Sequence, residues 1–126
     1  MALKHWQGLF ILAALFNFAA GLPPLLAPQL DLVGIGLSTE PANLLMVQTA
    51  GALITTFGIG YAMVAIDPLS HRGIVWLGMI GKALVVFLLA QAYLAGHIPA
   101  DAAAIGLGDL LFIVVFGAFL LKVRPV

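Results

Sequence analysis

Residues 74–94, IVWLGMIGKALVVFLLAQAYL, carry one charge, Lys82, in an otherwise apolar run bounded by polar turns. A helix crossing a hydrocarbon core of about 30 Å needs about 20 predominantly apolar residues at 1.5 Å each, and this run meets that length. Lipid offers no water to free N–H and C=O groups, so a spanning run must bond its backbone internally, as a helix. On either side, Ser70-His71-Arg72-Gly73 and Ala95-Gly96-His97-Ile98-Pro99 read as tight connections of the kind that join antiparallel neighbours.

Working upstream, Ser38-Thr39 followed by Pro41 is a helix-start signal, with a hydroxyl to cap free N–H groups and a proline where its missing donor costs nothing. The helix it starts runs to Ile66 and stops at Asp67-Pro68. Downstream, an apolar run from Ala102 to Leu121 precedes Lys122 and Arg124. At the N-terminus, the first span opens at Trp6 and is expected to end near Leu22, because Pro23-Pro24 breaks the hydrogen-bond ladder. A cleaved signal peptide is the rival reading of this segment, with Lys4 and His5 as its charged region and Ala19-Ala20-Gly21 near a cut site. The stretch from Pro23 to Asn43 is too rich in proline and glycine for a long helix yet rich in leucine, and reads as an interfacial loop. The sequence therefore predicts an all-α transmembrane four-helix bundle, one integral membrane domain with spans near 6–22, 42–66, 74–94 and 102–121. Composition agrees: the 126 residues are 63% hydrophobic and 8% charged, with mean hydropathy +1.19, whereas soluble domains are about one quarter charged. Four such spans leave no room for a soluble domain.

Orientation follows from the basic residues. Lys4, Arg72, Lys122 and Arg124 fall on one side of a four-span arrangement, and Asp31, Glu40, His97 and Asp101 on the other. The positive-inside rule then puts both termini in the cytoplasm, with a lipid bilayer as the setting. Trp6 and Trp76 are expected as anchors at the inner boundary and Tyr93 at the outer one. Five basic and five acidic residues leave no basic stripe, which excludes a nucleic-acid partner. The absence of cysteine removes disulfides, iron–sulfur clusters and thiol chemistry.

Within lipid, helices associate through close contact at small residues and through occasional hydrogen bonds. Gly51, Gly58 and Ala62, then Gly78 and Gly81, then Gly106, Gly108 and Gly117 are the expected seams, with a substrate groove as the alternative use of the same residues. Asn17, Gln48, Thr55, Thr56, Tyr61, Lys82, Gln91 and Asp109 are the polar residues at membrane depth, and each needs a partner. Asn17, Thr55 and Thr56 are expected to bond a neighbouring helix or their own backbone, and Gln48 and Gln91 to reach headgroups.

Lys82 and Asp109 are the foremost candidates, because an ionisable group inside a span faces the interior, a cavity or an opposite charge. At 1.5 Å per residue they lie roughly 12 Å from the inner end and roughly 10 Å from the outer end of their spans, so their backbones differ in depth by about 5–8 Å. A lysine stem can bridge much of that gap. Yet side chains tilt toward the helix N-terminus, so the two lean apart and each can snorkel to its own surface. An ion pair, independent snorkelling and a water-filled or ligand-lined cavity all remain open at this point.

The loop holding Asp67, His71 and Arg72 resembles a headgroup or phosphate site, since arginine binds such groups bidentately; an ordinary positive-inside turn is the plainer reading. His5, His71 and His97 sit at ends or in loops, without ligand spacing, so neither haem nor a metal is expected and no cofactor is assigned. Ser38 and Ser70 are near helix starts, and no nucleophilic triad is visible.

The long first loop, the glycine-rich second span, the Asp67-Pro68…His71-Arg72 turn and Gly108-Asp109-Leu110-Leu111-Phe112 at the start of the last span together resemble the DoxX-like group of small four-helix bacterial membrane proteins. Some members are associated with quinone-linked sulfur oxidation or with oxidoreductase complexes. The resemblance implies a quinone- or partner-linked role, without direct sulfur chemistry in a chain that has no cysteine. Three readings of function follow: a non-catalytic bundle that forms a homo-oligomer or joins a larger membrane complex; a binder or carrier of a lipophilic molecule such as a quinone, isoprenoid or lipid, using Lys82, Asp109 and Tyr61; or an enzyme on such a substrate, with Asp109 or Lys82 as acid or base.

Overall fold

A computed structural model describes residues 2–124. Among them no strand occurs, and the helices in chain order are α1 (Leu3–Leu26), α2 (Pro28–Gly34), α3 (Pro41–Ile66), α4 (Arg72–Leu94), α5 (Ala100–Ala103) and α6 (Ile105–Lys122). The fold is all-α. The helices α1, α3 and α4, together with the run Ala100–Lys122, are long and apolar enough to cross a membrane. The chain divides into two compact units, one ending at Ile66 and the other beginning at Asp67.

The first unit is the α1–α3 hairpin with α2 across its connection. The sequence expectation that Pro23-Pro24 ends the first span is wrong: α1 continues to Leu26 with both prolines inside it. A proline in the last turn forfeits only the bond to the carbonyl four residues back, and the carbonyl of Pro23 still accepts from Ala27 N–H at 2.8 Å. Pro24 is also buried, its Cγ 3.1 Å from where a Cβ on Gly51 would stand, so the ring fills the space that glycine leaves. The first span is thus 24 residues rather than short, about 36 Å of helix.

The α1–α3 seam is close enough to touch main chain to main chain. A Cβ on Gly21 would lie 2.6 Å from Thr55 Oγ1, 2.7 Å from Thr55 N and 2.9 Å from Gly51 O; one on Gly51 would lie 2.7 Å from Gly21 O and Leu25 N. A Cβ on Gly58 would meet the Phe18 ring at 2.8 Å. Gly51 and Gly58 therefore mark a seam, as expected of small residues where helices lack a hydrophobic drive to associate. Both are buried with Tyr61, Val64 and Ala65 on α3.

Between these helices the broken stretch contains one short helix. Pro28 opens α2 at its first position, and the segment closes on Gly36, whose φ of 76° lets Leu37 N–H return to Leu32 O at 2.9 Å. Helix α3 begins at Pro41 as read from sequence. Its start is tied by Asn43 Nδ2, which donates to Ser38 O at 2.9 Å, and by Glu40 N–H, which donates to Ser38 Oγ.

The second unit is the α4–α6 hairpin. Helix α4 starts at Arg72, two residues before the expected boundary, and closes on Gly96 (φ 77°) with His97 N–H donating to Ala92 O at 2.9 Å. The last span starts earlier than expected, at Ala100, and is interrupted by a single turn residue, Ala104. The two helices run in antiparallel register, with Arg72 against Leu120, Met79 against Gly117 and Leu89 against Gly106.

Candidate functional site: the Lys82–Asp109 pair

On α4, the buried positions Val75, Gly78 and Lys82 recur at helical spacing, and on α6 so do Gly106, Asp109, Phe116 and Leu120. The two charges therefore sit on inward stripes and not on lipid-facing ones. Lys82 Nζ donates to Asp109 Oδ1 at 2.6 Å, with side-chain exposures of 7% and 11%. Of the three arrangements left open by the sequence, the ion pair is the one formed. The register fixed by Met79–Gly117 and Leu89–Gly106 puts Asp109 about one helical turn farther along than the point directly opposite Lys82, so the lysine stem must reach over that turn. Leaving either charge unpaired at this depth is the costlier choice. Phe112, which the sequence reading did not select, places its ring centroid 5.4 Å from Lys82 Nζ. Its position one turn after Asp109 was the available signal, since residues three apart share a helix face.

Asn17, Gln48 and Tyr61 belong to the first unit. Asn17 is buried, and its Nδ2 donates to Ile54 O on α3 at 3.0 Å, the interhelical bond expected of it. Gln48 is half-buried and donates to Leu25 O at 3.4 Å, near the end of α1, so its amide serves the hairpin in place of the headgroups expected. Tyr61 is 1% exposed, with the Phe57 ring 6.2 Å away. Thr56 Oγ1 bonds back to Ala52 O at 2.8 Å, as expected. Thr55 Oγ1, by contrast, is buried without a hydrogen bond to any described residue, and it lies 2.6 Å from where a Cβ on Gly21 would stand. Trp6, expected at the lipid boundary, is only 4% exposed, whereas Trp76 and Tyr93 are open to the surroundings.

Asp67, His71 and Arg72 are engaged locally. The Asp67 carboxylate accepts from Ser70 Oγ at 2.7 Å and from Ser70 N–H at 3.4 Å, and the Ser70 hydroxyl holds its pKa below the usual carboxylate range. His71 Nδ1 lies 2.9 Å from Asp67 O. Arg72 donates to Leu120 O at 3.1 Å and to Val123 O, with its guanidinium 5.8 Å from the Phe119 ring centroid. Two carbonyls freed at the C-terminus of α6 are thereby satisfied by a cation, which also suits the negative end of the helix dipole. The geometry is that of a helix cap within a turn.

A groove of about 340 Å³ opens between α4, α5 and α6, lined by Val86, Leu89, Tyr93, Ala103, Gly106 and Leu110 among others. On α4 it begins at Val86, about one turn beyond Lys82, and on α6 its lining runs from Gly106 to Leu110, but neither Lys82 nor Asp109 lines it. An acid or base must come within hydrogen-bond reach of its substrate. Material in this groove would meet alkyl groups and the Tyr93 ring, and the lysine and carboxylate would still face each other.

Fold and site together define a multi-pass α-helical integral membrane protein. No family model matches the chain, and no curated protein and no solved structure matches it.

Proposed function

We propose that the chain is a non-catalytic membrane subunit, acting as an oligomerising or accessory component of a bacterial cytoplasmic-membrane assembly, with both termini in the cytoplasm. The observation that carries this reading is the closed Lys82–Asp109 pair, whose charges neutralise each other outside the groove. The orientation rests on Lys4, Arg72, Lys122 and Arg124 lying at one set of helix ends. Surface for partners is ample: of the apolar window of α4, 17% is buried within the chain.

A second reading, a binder of a quinone, isoprenoid or lipid, is favoured by the groove itself. Its volume lies at the lower end of the range of about 300–1,000 Å³ common for small-molecule sites, and its lining is apolar with one phenol. The likeness to DoxX-like proteins points the same way, toward a quinone- or partner-linked role. Native mass spectrometry of the gently purified protein, with organic extraction alongside, separates the two. A ligand-free oligomer or a retained protein partner supports the subunit reading; a stoichiometric quinone or lipid lost on Ala103→Leu would replace it with the binder.

A further inference from the structure

We propose that the outward face of α2, formed by Leu30 and Val33 and continued by Leu26 and Leu37, is a lipid-inserted anchor seated at the boundary between headgroups and acyl chains. The inference rests on the membrane-spanning reading of α1 and α3. Those helices have 24 and 26 residues, about 36 and 39 Å of length, which already exceeds a hydrocarbon core of about 30 Å. Only Ala27 separates α1 from α2, and residues 35–40 join α2 to α3, so α2 is confined to the level where both spans leave the core.

At that level its composition identifies what covers it. Pro28 and Leu32 are buried, which uses one face of α2. The opposite face is also apolar: Leu30 is 75% exposed, Val33 67% and Leu26 76%. Leu30 and Val33, three positions apart, share one side of α2, and the exposed Leu26, at the end of α1, and Leu37, after the turn at Gly36, flank it. A helix lying on water would put polar residues on this side. The tight return at Gly36, where Leu37 N–H meets Leu32 O, keeps Leu37 beside α2.

Charge selects the kind of lipid contact. The segment from Leu26 to Glu40 contains Asp31 and Glu40 and no lysine or arginine. Attraction to anionic headgroups requires basic residues, so this anchor works through apolar burial alone and gains nothing from anionic lipid. That distinguishes it from a basic amphipathic surface helix.

The chain has no cysteine, so single cysteines at Leu30, Val33 and Leu53 can each carry an environment-sensitive fluorophore in the full-length protein. Leu53, exposed near the middle of α3, reports whether the hairpin is inserted. In phosphatidylcholine vesicles, probes at 30 and 33 are expected to emit blue-shifted light and to be quenched most by nitroxides placed shallow on the acyl chain. The probe at 53 is expected to be quenched most by deep nitroxides, and adding phosphatidylglycerol should not draw the probes at 30 and 33 any deeper. Water-quenched probes at 30 and 33 with a deep probe at 53 would overturn the anchor and leave the span standing; a water-exposed probe at 53 would overturn the membrane reading itself. Probes at 30 and 33 shielded from both quenchers would make this face a protein contact, which also overturns the proposal.

Discussion

Side chains on a helix tilt toward its N-terminus, so Lys82 and Asp109 start by pointing apart in an antiparallel hairpin, and their 2.6 Å contact is made against that bias. The driving term is the cost of an uncompensated charge in a water-poor interior, which predicts a specific pattern among variants. Lys82→Met and Asp109→Leu should each lower stability in detergent micelles by on the order of 3 kcal/mol, because each strands the other charge. The double variant should be more stable than either single one. Thermal unfolding measures this, and single variants as stable as the parent would mean that the charges do not depend on each other. That these two residues matter was legible in the sequence, as the lone charges well inside their spans. Their pairing was not, since it depends on how far α6 is shifted along α4, a quantity carried by Met79, Leu89, Gly106 and Gly117. Gln48 was misread for a related reason: a glutamine near a span end can turn to headgroups or to a neighbouring helix, and only the extended α1 brings Leu25 O within its reach.

At the scale of the helices, the glycines divide by what a side chain would strike. Gly21 and Gly51 face main-chain atoms at 2.7–2.9 Å, Gly58 faces a ring at 2.8 Å, Gly117 faces Met79 Sδ at 3.8 Å, and Gly81 has nothing within 4 Å. Backbone cannot rotate aside, while an aromatic ring or a thioether can. Substitution by alanine should therefore destabilise most at Gly21 and Gly51, by about 1–3 kcal/mol as for overpacked cores, and less at Gly58. At Gly117 and Gly81 it should be neutral or slightly stabilising through helix propensity. Unfolding midpoints across the five variants test the order, and a loss at Gly81 equal to that at Gly21 would break it. Sequence reading identified Gly51 and Gly58 as seam residues but assigned Gly81 the same role, because spacing alone does not say which side of a helix has a neighbour. The helix boundaries at Pro41 and at Asp67-Pro68 were legible because a proline there coincides with a polar connection. Pro23-Pro24 misled because its partner condition, the absent side chain of Gly51, lies 27 positions away.

For the molecule as a whole, the fold is that of a multi-pass membrane protein in which Lys82 and Asp109 pair with each other. Its four long apolar helices and their three connections set which residues share a side of the bilayer. The proposed orientation places the helix ends that carry Lys4, Arg72, Lys122 and Arg124 in the cytoplasm. The most direct test introduces cysteines singly at Glu40, Ser70 and His97, all exposed in a chain without native cysteine, and labels them with a membrane-impermeant maleimide in sealed vesicles of known orientation. Ser70 should be labelled only from the cytoplasmic face, and Glu40 and His97 only from the opposite one; labelling of Ser70 and His97 from the same face would contradict the four-span account.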